Sequence, residues 1–279
     1  MWNLLSGEFY KLRKSKIFYV CMILMVVVVF WLYAMIMIAQ KIERGEIENG
    51  QMGVVVSTEQ QPTDGNSMPE TESIGILDMY QQIAMNLTTM IAVVFSSIFV
   101  IGEFGNGAVK NLVGKGKKRS SIFLSKYIAV EAVTILLSLI GAVTTLLAGC
   151  IFFGTEEING AFLQDYAIYT FYQTVLLMAL SGVVASASEM IRGMGAGVVT
   201  ALCIAGGVAG LIFSGVDLVL ELIHFPVNIS DYWITNLMQA CPMTGFDAAF
   251  VSRLVIGVVF WTVAAVGIGG VHFSKADIK

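Results

Sequence analysis

Six stretches of this chain hold about 20 or more mainly apolar residues in a row, the length that crosses the hydrocarbon of a bilayer as a helix. They run from Ile17 to Ala39, Tyr80 to Ile101, Tyr127 to Phe153, Asp165 to Ser188, Ala196 to Gly215 and Ala249 to Phe273. The second and fourth also carry Gln, Thr and Ser, which turn toward other helices rather than lipid. The first follows a basic start, as a signal peptide would. Its apolar stretch is too long for that and no A-x-A site closes it, so it reads as a retained span.

The polar pattern between the spans is uneven. Before the first span, Trp2, Leu5, Phe9 and Leu12 recur at helical spacing, with Lys11, Arg13 and Lys14 off that stripe and toward its end. This pattern predicts an interfacial elbow helix lying in the membrane surface with its cations at anionic headgroups. The simpler alternative is a basic flank without fixed structure. Residues 40–79 form a polar, acidic loop, in which MGVVVS, from Met52, reads as a short strand. Residues 216–248 alternate apolar runs with Asp217, Glu221, His224 and Asp231, and are broken by Pro226 and Pro242. No piece of that segment is long enough to span, so it predicts two short re-entrant helices, the second capped by Ser230 or Asp231.

Composition agrees with a lipid environment. The chain is 57% hydrophobic and 13% charged, with mean hydropathy +0.80, against about 25% charged in a soluble domain. The expected fold is therefore an all-α membrane protein with six transmembrane helices. Cys21, Cys150, Cys203 and Cys241 lack paired spacing and read as small packing residues. All sixteen Lys and Arg residues except Lys41, Arg44 and Arg253 fall on one side of this topology, which predicts that both termini are cytoplasmic. The chain is expected as a multi-pass protein of the plasma or inner membrane. Arg253 is expected to meet Asp247 or another outer carboxylate.

The densest cation cluster lies in IGEFGNGAVKNLVGKGKKRSSIFLSK, residues 101–126. A phosphate-binding loop, G-x-x-x-x-G-K-[ST], fails here: Gly116 stands where the metal-binding hydroxyl belongs and Val109 where the first glycine belongs. No cofactor site is expected on this chain. Only His224 and His272 are present, and neither H-E-x-x-H nor G-x-S-x-G occurs, so neither a metal site nor a hydrolytic site is expected. Stacking aromatics are missing from the cluster, so nucleic acid is not an expected partner. The cations themselves serve topology and contact with anionic lipid. Ahead of them, Ala108, Val109, Leu112 and Val113 would form one narrow apolar face on a short helix beside Lys110, suited to a partner's groove.

GEFGNGAVKNL and KRSSIFLSK, placed between the second and third of six spans, resemble the ABC-2 type permease subunits of bacterial ABC transporters. LLSGEFYKLRKSKIF resembles that family's elbow helix. The family commonly has Thr where Ala108 stands. The small size and acidic outer loop resemble permeases that export, or confer immunity to, amphipathic peptides such as lantibiotics. The resemblance implies that two six-span subunits pair, as identical copies or close paralogues. Each would dock a separate cytoplasmic ATPase that holds the ATP and Mg.

By position, Glu103, Phe104, Gly107, Ala108, Val109, Lys110 and Leu112 would form the coupling helix, and the loop from Glu189 to Gly195 a second ATPase contact. Glu189 and Arg192 would pair on a helix end or simply close a tight loop. Glu103 would anchor the coupling helix or meet only water. Glu131 lies about one turn inside the third span, where it would face a cavity or a cation, or snorkel to the cytoplasmic face. A scaffold or sensor that transports nothing, and an ATP-independent channel, are the competing functions. The channel is disfavoured by the lack of clear inverted repeats.

Overall fold

The computed structural model describes residues 2–43, 76–105, 114, 118–154, 158–191, 193–223 and 228–275. The described residues form an all-α membrane protein without strands. Helix α1 (Trp2–Lys14) is followed by α2 (Lys16–Glu43). A short α3 (Ile76–Met79) leads through a π-helical segment (Tyr80–Met85) into α4 (Asn86–Gly105). Then come α5 (Arg119–Phe152), α6 (Gly160–Ile191), α7 (Met194–Ala205), α8 (Val208–Leu222), a 3₁₀ turn (Ser230–Tyr232), α9 (Ile234–Gln239) and α10 (Ala248–Lys275). Among the described residues five helices are long and apolar enough to cross a membrane, and α7 with α8 makes a sixth if the bent pair is one span. The segment MGVVVS lies outside the described residues.

Helix α6 is the hub of the bundle, with α4, α5, α7, α9 and α10 packed around it. Helix α2 leans on α5 and α4 and buries little of itself. The core is aromatic away from the chain termini. Tyr80 packs on Tyr166 and Tyr169, with ring centroids 4.7 and 5.8 Å apart, and Tyr166 donates its hydroxyl proton to the Ala142 carbonyl at 2.8 Å. Buried Thr88, Thr89, Ser96 and Thr134 instead return their hydroxyls to carbonyls one turn back. This satisfies each hydroxyl within its own helix, as a medium without water requires.

Several boundaries differ from those expected. Helix α5 begins at Arg119 rather than Tyr127, so Lys126 is a helical residue inside the bundle and not part of a loop. The fifth apolar run does not form one straight rod. It bends by 56° at Gly206 and Gly207, where Gly207 takes a left-handed φ of 88° that a β-carbon would oppose. Beyond the bend, α8 continues to Leu222, which leaves one 3₁₀ turn and the short α9 where two re-entrant helices were expected.

Ser230 and Asp231 do not cap α9. That helix starts after Trp233 without a side-chain cap, while Asp217 accepts the backbone N–H groups of Ile229 and Ser230 at 2.6 and 2.9 Å. The end of α8 is thereby tied to the 3₁₀ turn. Trp261 of α10 secures the same turn by donating its indole N–H to the Tyr232 carbonyl at 3.0 Å. Arg253 approaches Asp231 at 4.0 Å rather than Asp247; this exposed pair contributes little.

Helix α1 turns one face to the bundle. Its buried face carries Leu4, Glu8 and Leu12, one turn apart, whereas Phe9 is 43% exposed. The helix packs on α5, and α5 supplies an apolar surface at Ile122 and Phe123. Spacing on α1 alone could not reveal which of its two greasy faces would meet that surface.

Candidate functional site

Three chain segments converge where α1 begins. Leu4 of α1, Ile122, Phe123 and Tyr127 of α5, and Phe273 of α10 form one apolar cluster. Arg119 crosses to α10 and donates from Nη1 to the Ser274 carbonyl at 3.2 Å. A second contact lies deeper, where Val100 of α4, Val130 of α5 and Ala185 of α6 meet.

Ionisable groups are concentrated around these two contacts. Among the described residues the buried charged side chains are Glu8, Lys126, Glu131 and Glu189. Each lies within about one turn of one of the two clusters. Glu8 stands one turn after Leu4 and forms an ion pair with Lys11 at 2.9 Å. Lys126, only 1% exposed, stands one turn before Val130. Glu189 follows Ala185 by one turn, next to Ser188, whose hydroxyl donates to Ser97 of α4 at 3.0 Å. Glu131 follows Val130 and accepts a long hydrogen bond, 3.5 Å, from Ser181 of α6.

Burying a charge is costly unless it is paired and hydrogen-bonded. One buried lysine among three buried carboxylates makes this end of the bundle a polar node inside an apolar frame. Glu131 thus faces the bundle interior and does not snorkel. Glu189 is likewise buried within α6, not displayed on a loop. The residue that spacing and composition left unmarked is Glu8, which precedes a run of cations from Lys11 and looks solvated until α1 is docked. Lys11 is half-buried over Glu8, whereas Arg13 and Lys14 point outward.

Helix α4 runs from Val100 directly into Glu103, Phe104 and Gly105, the last residues of its helical turn. The stretch expected as the coupling segment therefore begins at the end of α4, one turn after Val100. Gly107, Ala108, Val109, Lys110, Leu112 and Arg192 lie outside the described residues. Trp2 opens α1.

A second feature lies toward the opposite end. A cleft of about 350 Å³ is lined by the π-helical segment, α4, α6, the end of α7 and α9. Its polar lining is made of side-chain amides and hydroxyls: Gln81, Gln82, Asn86 and Thr89 on one wall, and Gln173, Thr235 and Gln239 on the other. No group of metal-binding side chains occurs among the described residues.

A bundle of apolar helices, five of them among the described residues long enough to cross a membrane, defines an integral membrane protein. The chain belongs to the ABC-2 family transporter proteins, whose family model matches residues 4–205. That match runs from Leu4 in α1 to Ala205, the last residue of α7. No curated protein matches the chain. As a family member it is a multi-pass transport component that associates with an ABC ATPase and is not itself catalytic.

Proposed function

We propose that this chain is the permease subunit of an ATP-driven exporter of amphipathic or hydrophobic peptides. Two copies, or one copy and a close paralogue, pair in the plasma or inner membrane with all termini in the cytoplasm. Each docks an ATPase chain that holds the ATP and Mg. The single observation carrying this reading is that α4 runs past the buried charged node to Glu103, where the stretch that resembles the family's coupling segment begins.

ATP does work only by binding one transporter state better than another. A short helix seated in a moving ATPase would deliver that difference to α4 and α5, which flank the segment. The node resists local fraying there, because pulling one helix away strands a buried charge. Motion at the coupling segment is then passed on as movement of whole helices. Both the orientation and the peptide substrate rest on the cation distribution and the sequence resemblance.

Co-purification tests the docking. The full-length protein should retain its ATPase through detergent extraction, and replacing both Val109 and Leu112 with Asp should abolish that retention while leaving the membrane domain folded. Undiminished retention would overturn this docking site. Reconstituted vesicles test transport: retention of the ATPase without ATP-dependent movement of an amphipathic peptide would leave a docking scaffold.

A further inference from the structure

The cleft between the π-helical segment and α9 has two polar atoms with unmet demands. Gln173, 1% exposed, donates from Nε2 to the Tyr169 hydroxyl and to the Met238 carbonyl, both at 2.9 Å. A carbonyl can only accept, so the Met238 contact fixes which end of the amide is nitrogen. The remaining atom, Oε1, is buried and has no hydrogen-bond partner among the described residues. Thr235, 4% exposed, lines the same cleft, and its Oγ1 is in the same condition. An acceptor and a hydroxyl left bare in a largely apolar core are costly, and a ligand offering a donor would relieve that cost.

The rest of the lining defines the ligand. Gln81, Gln82 and Asn86 each present an acceptor and a two-proton donor on one side chain, the same pair of functions that a peptide bond presents. Among the described residues no Asp, Glu, Lys or Arg lines the cleft, so none of them would hold a phosphate or an ammonium group there by charge. Met85 and Met238 supply flexible apolar surface that adapts to varied side chains.

The backbone is unusual on two sides of the cleft. The π-helical turns re-aim Gln81 and Gln82, and α7 ends beside the cleft at Ala205, just before its bend. Such interruptions recur at functional sites. The volume falls at the small end of the usual range for ligand sites, about 300–1,000 Å³. It suits a short extended segment and not a whole amphipathic helix.

We propose that this cleft is a binding subsite for the uncharged backbone amides of a short peptide segment, with Gln173 Oε1 accepting a ligand N–H and Thr235 completing the pair. The subsite gives an exporter a way to hold peptides by what they share, whatever their side chains. This inference rests on the peptide reading of the function, but its test requires neither ATP nor the ATPase.

The probe is an acetylated, amidated Ala-photoleucine-Ala tripeptide, applied to the full-length protein in lipid nanodiscs, with labelled residues located by mass spectrometry. A matched analogue carries an ester in place of the central amide and so lacks one N–H. Saturable labelling should map to the walls of the cleft. The ester should bind roughly tenfold more weakly, the cost of one buried acceptor left unpaired. Gln173→Leu should remove most of that preference, and Thr235→Val, which keeps the shape, should reduce it.

An unchanged size-exclusion profile separates a local effect from failure to fold, and Thr235→Val carries the test if Gln173→Leu does not assemble. Equal binding of amide and ester overturns the proposal, as does absence of saturable labelling in the cleft. Displacement by glycerophosphoglycerol, a lipid headgroup without amides, also overturns it. Amide-selective binding without ATP-driven movement would sustain the subsite and sink the transport reading.

Discussion

Ser188 on α6 donates its hydroxyl proton to the Ser97 hydroxyl on α4, 3.0 Å away, and both residues are buried. The bond joins the hub helix to the helix that leads into the coupling segment, within two turns of Glu103. Ser188→Ala should lower stability modestly, by about 0.6 kcal/mol as interhelical bonds in membranes average. The Ser97→Ala, Ser188→Ala double variant should lose less than the sum of the two single changes. A double-mutant cycle on unfolding in detergent measures that coupling, and strict additivity would show that the bond contributes nothing.

Gly182 of α6 faces Tyr127 of α5 so closely that a β-carbon there would overlap the tyrosine hydroxyl and ring. Gly182→Ala should therefore cost about 1–3 kcal/mol through overpacking. Adding Tyr127→Leu, which removes the ring, should recover a large part of that loss. Melting temperatures of the single and double variants decide the point.

The bend between α7 and α8 depends on the left-handed backbone at Gly207. Gly207→Ala should cost about 1–2 kcal/mol, and Gly207→Asn less, since Asn tolerates that conformation better. Equal stability of all three proteins would mean that the two helices reach their places without the left-handed residue.

Lys126 brings a positive charge to an end of the bundle that buries three carboxylates, Glu8, Glu131 and Glu189. Lys126→Ala should destabilise the domain by about 3–5 kcal/mol, the usual cost of removing one partner from a buried ionic group. Lys14→Ala, an exposed change on α1, serves as the control and should stay within about 0.5 kcal/mol. Chemical unfolding in detergent compares the two.

Glu103 occupies the last turn of α4, where the helix approaches the proposed ATPase contact. If it anchors that contact, Glu103→Ala should weaken ATPase retention and slow ATP-driven transport while leaving the melting temperature of the isolated permease unchanged. Wild-type retention and transport in this variant would leave Glu103 as a solvated helix end.

The amino-acid sequence by itself determined the class, an all-α membrane protein. Apolar runs about 20 residues long can satisfy their backbone in lipid only as helices, so the helical spans and a helix ahead of them were legible from spacing alone. GEFGNGAVKNL stood out by its composition and its resemblance to a family pattern, and the docking role given to it above is a proposal. Tertiary structure decided which faces those helices turn inward. Hydrophobicity is nearly uniform around a transmembrane helix, so periodicity carries little information about its neighbours. Phe9 and Leu12 therefore looked alike on α1, and only docking on α5 buried Leu12 and exposed Phe9. The burial of Glu8, Lys126 and Glu189 depended on α5 packing against both α1 and α6. The amide-lined cleft required Gln81, Gln173 and Thr235, far apart along the chain, to meet around a broken helix. Such meetings depend on side chains packing across elements, an interaction that no stretch of sequence contains on its own.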